Sequence, residues 1–175
     1  MKSLLFAILP ILFLGDIQQS STWPLQPNDI IDDTCPTVPF PDFCASTLRT
    51  DPKSGSAQSS KDLGVILVDQ VDSKASSTLT KISSLISQAQ DPKLKAALSS
   101  CQDSYGVIVK GSVPASRAAL ISGNPKFAEE YMTDAAASMD RCDKNFDGLD
   151  SPLTSEDDFV RKATTIVAAI AKTLE

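Results

Sequence analysis

Two consecutive stretches of the sequence carry apolar residues at helical spacing, and each has a cysteine on its apolar face. In the second stretch these residues are Ala128, Met132, Ala135, Met139, Cys142 and Phe146. In the first stretch they are Leu94, Ala97, Leu98, Cys101, Tyr105 and Ile108. Steps of three and four residues place side chains on one face of an α-helix. The pattern predicts a helical hairpin in which Cys101 and Cys142 face each other.

Glycine and proline residues indicate where these two helices begin and end. We expect the first helix to end near Gly111 and Pro114, because proline inside a helix removes a backbone hydrogen bond. Gly123 should stop any helical turn before it, since glycine favours helix C-termini. Asn124 is a favourable N-cap and Pro125 a favourable first residue, so the second helix is predicted to begin there.

Two further stretches with one apolar face complete the predicted fold. The earlier one follows a connector at residues 51–60, and its apolar residues are Leu63, Leu67, Val71, Ala75, Leu79, Ile82 and Ile86. The last opens at Thr154 or Ser155, and its apolar residues are Phe159, Ala163, Val167, Ile170 and Leu174. Asp91 and Pro92 should cap the helix that carries the third cysteine. Four long amphipathic helices with short loops predict an all-α fold, an antiparallel up-down four-helix bundle.

The N-terminal residues are typical of a signal peptide. Lys2 precedes an apolar run at residues 4–14, which is too short to span a bilayer, and small or polar residues follow at 15–22. We therefore predict a signal peptide at residues 1–22 and a single domain at residues 23–175. The mature protein is expected to be soluble, without a membrane segment, and secreted to the cell wall or delivered to the vacuole.

Export would place the four cysteines in an oxidising compartment, where disulfides form. Four cysteines allow three pairings, and the residues alone do not choose among them. The helix faces favour Cys101–Cys142, which leaves Cys35–Cys44 as a short loop. Three prolines surround that loop, so residues 30–43 can hold only short helical turns, which are predicted to dock on the bundle as an N-terminal hairpin. Paired C-x-x-C motifs are missing, so zinc is not expected.

Composition excludes several classes of function. The chain has no histidine, which removes Ser-His-Asp and Cys-His catalysis and histidine-ligated metals. Its net charge of −6 argues against nucleic acids or anionic membranes as partners. An enzyme would depend on carboxylates alone, and the pairs at 129–130 and 157–158 are more simply interpreted as solvated helix residues. We therefore expect neither an enzyme nor a cofactor.

Residues 143–148 resemble the opening of a calcium-binding loop, with oxygen-bearing side chains at Asp143, Asn145 and Asp147. Such a loop needs a bidentate glutamate at its twelfth position, where this sequence has Thr154. We expect a solvated loop between helices instead of a metal site. A calcium-binding or small-ligand-binding protein is the more distant alternative.

Pro125, Lys126 and Phe127 form the candidate binding segment. Phe127 could fold back into the core, but the inward stripe runs through Ala128 and Met132 instead. The row of Phe127 continues through Tyr131, Asp134 and Ser138, which is a mostly polar face. An exposed aromatic ring beside a lysine at a rigid helix end is a plausible binding anchor. The residues alone leave both interpretations open.

Several motifs in order resemble the plant invertase and pectin methylesterase inhibitor family. They are C-x8-C near the mature N-terminus, D-P-K-S-x-S-A, D-P-K-L-K-x-A-L-x-x-C, G-N-P-K-F-A-E and a C-terminal S-P-L-T. Together they span essentially the whole mature chain. The resemblance implies a four-helix bundle with an N-terminal hairpin and disulfides pairing the first cysteine with the second and the third with the fourth.

The same resemblance implies a target. Pro125, Lys126 and Phe127 match the motif by which invertase inhibitors enter the sucrose-cleaving pocket. Pectin methylesterase inhibitors instead bind through faces of several bundle helices. We therefore expect a monomeric, secreted inhibitor of an acid invertase, with a pectin methylesterase inhibitor as the alternative.

Overall fold

The computed structural model describes residues 30–175, so the predicted signal peptide lies outside the described range. The α-helices of this range are α1 (Ile30–Thr34), α2 (Pro41–Arg49), α3 (Ser60–Gln88), α4 (Pro92–Val107), α5 (Val113–Ser122), α6 (Pro125–Lys144) and α7 (Thr154–Thr173). Short 3₁₀ turns occur at Cys35–Thr37 and Pro52–Ser56, and a π-helical turn occurs at Ile108–Ser112. The described residues contain no β-strand.

Four helical rods form the bundle: α3, the continuous rod made of α4, the π turn and α5, then α6, and finally α7. The first rod packs beside the second and the last, and α6 packs beside α5 and α7. The rods are joined by short connections, so successive rods run in opposite directions. This arrangement confirms the predicted up-down four-helix bundle.

The expected end of the second rod near Gly111 and Pro114 is wrong. The rod continues to Ser122 because the π turn absorbs the proline: the Val113 N–H donates to the Ile108 carbonyl, five residues back. Pro114 then lies in the first turn of α5, where its missing N–H disrupts no α-helical ladder. Burial of Val113 and Leu120, among others, outweighs the local cost of the irregular turn.

The predicted apolar stripes of α3, α4 and α6 form the core. Every predicted position from Ala128 to Phe146 is buried, and Phe146 lies just after the end of α6. The predicted positions of α3 and α4 are buried except Leu79, Ile86 and Leu94, which are partly exposed. The structure joins Cys101 to Cys142 across this core and Cys35 to Cys44 in the N-terminal segment. The pairing favoured by the helix faces is therefore the one that the structure has.

The N-terminal segment packs on the bundle through an aromatic contact. The rings of Phe43 and Phe159 meet edge to face, with centroids 5.3 Å apart. Phe159 was expected on the inner stripe of α7, but that stripe runs through Val160, and Phe159 faces the hairpin instead. The ammonium of Lys74 lies 5.0 Å from the centre of the Phe159 ring and adds a cation–π contact.

One carboxylate expected in solvent lies in the core. Asp157 is completely buried in the first turn of α7, and one of its oxygens accepts a hydrogen bond from the Tyr105 hydroxyl. Asp158, its neighbour, remains outside and pairs with Lys162. The interpretation of residues 157–158 as a solvated pair is therefore wrong for Asp157, because the helix rotates it toward α4.

Among residues 30–175, every helix is too short or too polar to cross a lipid bilayer.

Candidate functional site

A tight turn fixes the direction in which α6 leaves α5. Gly123 adopts a left-handed conformation (φ 77°), and its N–H donates to the Leu120 carbonyl. The N–H of Asn124 donates to the Ala119 carbonyl at 2.9 Å. Together these two bonds make a Schellman motif, which needs a residue that tolerates positive φ at the glycine position. The start of α6 is therefore held by backbone geometry.

Pro125, Lys126 and Phe127 form the first turn of α6, and all three lie outside the core. The Phe127 side chain is 56% exposed, whereas Ala128 beside it is fully buried. Phe127 therefore does not fold back as a core staple. Its ring stands in solvent next to the exposed Lys126. The three side chains form one protruding surface at the end of the bundle.

Phe127 belongs to a row of α6 side chains that continues through Tyr131, Asp134 and Ser138, and only the first part of this row is exposed. Tyr131 and Asp134 are exposed, as the sequence predicted, but Ser138 is buried. The Ser138 hydroxyl donates to the Asp134 carbonyl and accepts a hydrogen bond from Arg141. The part of the row near Ser138 is covered because α6 packs beside α4 there. Just after α6, the Asn145 amide donates to the hydroxyl of Ser100 in α4.

The chain contains a second helix start with the same Pro-Lys order, which makes a useful comparison. At Pro92-Lys93 the preceding Asp91 caps α4, since its carboxylate accepts from the Lys93 N–H at 2.8 Å. At the start of α6 the preceding residue is Asn124, and its side chain makes no such cap. Instead its amide donates to the Ser122 hydroxyl at 3.1 Å, so the expected side-chain N-cap is absent.

Although Glu129 and Glu130 follow in the second turn, the first turn of α6 carries positive charge. The positive end of the helix dipole lies there, and the first turn contains Lys126 but no acidic residue. Lys126 takes part in none of the ion pairs found among residues 30–175. A lysine at this end of a helix is unfavourable for folding, typically by about 0.3–1 kcal/mol. An anionic group brought against it by a partner would relieve that cost.

The far end of α6 is fixed to both of its neighbours. The Cys101–Cys142 disulfide joins it to α4, and Arg161 of α7 pairs with both Asp140 and Asp143. These links hold α6 as a rigid support for its exposed first turn. Rigidity matters chemically, because a pre-organised anchor loses little entropy when it binds.

Two of the three side chains considered for calcium are bonded elsewhere, Asp143 through a carboxylate oxygen and Asn145 through its amide nitrogen. The carboxylate of Asp143 pairs with Arg161, and the Asn145 amide contacts Ser100 and the Arg141 carbonyl. Asp143 also belongs to the last turn of α6, so it is not a loop residue. Within residues 30–175 no group of histidine, cysteine or acidic side chains is arranged to hold a metal ion.

The cavities of the described residues are surface grooves. One of about 820 Å³ lies between α3 and α4, beside the exposed Val107. A smaller groove of about 460 Å³ lies between the start of α3 and Ile121 at the end of α5. Sequence reasoning did not single out Ile121, because an exposed residue at a helix end breaks no periodic pattern.

Comparison with known proteins adds to this geometry. Residues 29–170 match the sequence profile of the family described as Plant invertase/pectin methylesterase inhibitor. The chain is 36% identical over 143 residues to Cell wall / vacuolar inhibitor of fructosidase 1 of Arabidopsis thaliana, covering 82% of this chain and 68% of that protein. It is 30% identical over 141 residues to a pectinesterase inhibitor of Actinidia deliciosa, covering 81% and 75% respectively.

The fold is also similar to that of a solved protein. A crystal structure of a mutant form of a pectin methylesterase inhibitor from Arabidopsis superposes with a TM-score of 0.74 at 23% identity. The match covers 83% of this chain and 97% of the other. The relatives described above are named as inhibitors, one of fructosidase and one of pectinesterase. The chain belongs to the plant invertase/pectin methylesterase inhibitor family.

Proposed function

We propose that the protein inhibits an acid invertase by placing the first turn of α6 in the sucrose-cleaving pocket. Pro125 sets the helix start, Lys126 supplies the charge, and Phe127 supplies the apolar contact. The single observation that carries the proposal is the exposed Lys-Phe pair on a rigid, uncapped helix start.

The chemistry of the two surfaces is complementary. Glycoside hydrolases work with a pair of carboxylates that flank the bond to be cleaved. The Lys126 ammonium, reinforced by the positive end of α6, would meet those carboxylates in a site that excludes water. The Phe127 ring would bury a surface that is now 56% exposed. Both interactions need the side chains outside the core, which is where they lie.

The relatives support an inhibitor of either target. One of the similar proteins is named an inhibitor of fructosidase and another a pectinesterase inhibitor. The proposal for invertase rests on the Pro-Lys-Phe segment, which resembles the insertion motif of the invertase branch.

The deciding experiment measures inhibition of purified acid invertase and purified pectin methylesterase side by side. Lys126→Ala and Phe127→Ala should each weaken invertase inhibition by about 2 kcal/mol if both are central contacts. Lys93→Ala is the matched control, because Lys93 is also exposed and also follows proline at a helix start. Sucrose should compete with the inhibitor, since both would occupy one pocket.

Equal inhibition by the parent and both alanine variants would refute the insertion of this segment. Inhibition of pectin methylesterase alone would refute the choice of target. In that case the second candidate, a pectin methylesterase inhibitor that binds through its helix faces, would replace the first. The groove between α3 and α4 beside Val107 is the observation that favours this candidate.

We also propose that the protein acts as a soluble monomer outside the cytoplasm, in the cell wall or the vacuole. The two disulfides and the predicted signal peptide at residues 1–22 support this location.

A further inference from the structure

Exposed apolar side chains are concentrated around the turn between α5 and α6. Among the described residues, the large hydrophobic side chains that are strongly exposed are Phe40, Val107, Ile121, Phe127 and Tyr131. Three of these five lie between positions 121 and 131, on the two sides of the Schellman turn. Scattered single residues need no explanation, but a cluster at one end of a bundle does.

The two aromatic residues of this cluster belong to one row of α6. Phe127 and Tyr131 are four residues apart, so their side chains are neighbours on the helix surface. They are 56% and 41% exposed. The buried stripe passes through Ala128 and Met132, which leaves both rings outside the core. The aromatic surface of α6 therefore extends a full turn beyond the proposed insertion segment.

Ile121 is exposed near the end of α5, two residues before Gly123 of the same turn. Its side chain is 61% exposed and borders the groove at the start of α3. Lys61 and Lys53 line that groove together with Val65. Lys53 pairs with Asp69, whereas Lys61 takes part in none of the ion pairs of the described residues. Asp62 also lines the groove, so Lys61 and Lys126 are the lysines that this end of the bundle offers without an ion pair among the described residues.

The proposed insertion is too small to account for a stable complex by itself. A specific protein–protein interface buries about 800 Å² on each partner. One aromatic side chain contributes at most about 150–250 Å². Lys126 and Phe127 therefore need flanking contacts, and those contacts must come from residues around the same turn.

We infer that Ile121 and Tyr131 form a second contact, seated on the rim of the carboxylate-lined pocket that receives Lys126 and Phe127. This inference rests on the proposed function. The occupant is the target glycosidase, because Lys126 and Lys61 suit a surface with carboxylates and because Tyr131 adjoins the insertion segment one turn along α6. Ile121 lies on the other side of the same turn. Val107, although equally exposed at 61%, lies elsewhere on the bundle and takes no part in this contact.

The test measures the inhibition constant for acid invertase with Ile121→Ala, Tyr131→Ala and the control Val107→Ala in the full mature chain. Each of the first two should weaken inhibition about tenfold, and the control should leave it unchanged. Tyr131→Phe keeps the ring and should retain most of the inhibition. Circular dichroism and thermal melts of all four variants should match the parent, since none of these side chains lies in the core.

Two failures can be distinguished. If Lys126→Ala and Phe127→Ala weaken inhibition while Ile121→Ala and Tyr131→Ala behave like Val107→Ala, the second contact is wrong and the insertion segment acts alone. If the parent leaves invertase fully active, the target is wrong, and this contact is refuted with it.

Discussion

The Tyr105 hydroxyl donates a 2.6 Å hydrogen bond to Asp157, and both side chains are completely buried. The pair connects α4 with α7. The Thr78 side chain of α3 lies beside the Tyr105 hydroxyl, and the other Asp157 oxygen lies 3.4 Å from the Cys142 sulfur in α6. All four rods of the bundle therefore meet at this polar cluster, next to the Cys101–Cys142 disulfide.

Burial dominates the chemistry of this cluster. Loss of water raises the pKa of Asp157 to about 7, although the hydrogen bond from Tyr105 opposes the rise. Among the charged neighbours, Asp143 raises this pKa further and Arg161 lowers it. Burial also raises the pKa of Tyr105, with the nearby Asp157 adding to the effect, so the phenol remains a hydrogen-bond donor.

The first prediction concerns stability and pH. The folded-state pKa of Asp157 lies above its ordinary value of 3.8, so its contribution to stability is greatest below about pH 4 and is lost as pH rises toward 7. Asp157→Asn removes the titration while keeping an acceptor for Tyr105. Thermal melts of both proteins across this pH range should therefore show that the melting temperature of the parent falls more steeply with rising pH than that of the variant.

The difference between those two curves isolates Asp157. Asp51 and Asp62 have lowered pKa values, because hydrogen bonds from Gln70 and from the Gln58 N–H stabilise their charged forms. Their contribution to stability is lost as pH falls, which is opposite to the effect of Asp157. This contribution is the same in the parent and the variant, so it cancels in the comparison. Parallel curves for parent and variant would show that Asp157 does not titrate in this range.

The second prediction removes the donor of the buried pair. Tyr105→Phe leaves a buried carboxyl without its hydroxyl partner, which should lower the free energy of unfolding by about 1–3 kcal/mol. Chemical denaturation measures this loss. Tyr131→Phe is the matched control, because that hydroxyl is at the surface and its removal should change little. Equal stability of the two variants would mean that the buried bond contributes nothing measurable.

The third prediction separates folding from binding at the start of α6. Lys126→Glu places a negative charge at the positive end of the helix dipole and should stabilise the fold by roughly 0.5–1 kcal/mol. The melting temperature should rise by about 1–4 °C, while inhibition of invertase should be lost. Lys93→Glu should stabilise less, because Asp91 already places a carboxylate at that helix end. A lower melting temperature for Lys126→Glu would contradict this electrostatic account.

The fourth prediction tests which α6 side chains stabilise the fold by packing in the core. Met132→Ala should lower the free energy of unfolding by about 2–5 kcal/mol, because it leaves a cavity at a fully buried position. Phe127→Ala should change it by less than about 0.5 kcal/mol, since the ring is mostly in solvent. Denaturant titrations of both variants provide the comparison. A large loss for Phe127→Ala would assign that ring to the fold.

The fifth prediction concerns the disulfides. Peptide mapping without reduction should recover Cys35–Cys44 and Cys101–Cys142. Replacing the second pair by serine should destabilise the fold by about 4 kcal/mol, and replacing the first pair by about 3 kcal/mol, because the longer loop constrains the unfolded chain more. The two bonds close loops with sequence separations of 41 and 9. Recovery of a peptide that joins Cys35 to Cys101 would contradict the bundle.

The sequence by itself determined the helices and most of their inward faces. Spacing of three and four residues is a local property, so the stripe through Ala128 and Met139 could be identified without knowing what covers it. The capping of α4 by Asp91 is equally local, since donor and acceptor are two residues apart. Once two neighbouring stripes each carried a cysteine, their pairing was favoured as well.

Only the tertiary structure decided the features that depend on which helices are neighbours. Asp157 is buried because α7 turns it toward Tyr105, 52 residues away, and no local pattern encodes that meeting. Ser138 is covered by α4, and the π turn lets α5 continue the second rod past Pro114 because burial outweighs a local preference. The site divides in the same way. The sequence located Lys126 and Phe127, whereas the packing of α3 beside α5 left Ile121 exposed at the edge of the groove between them.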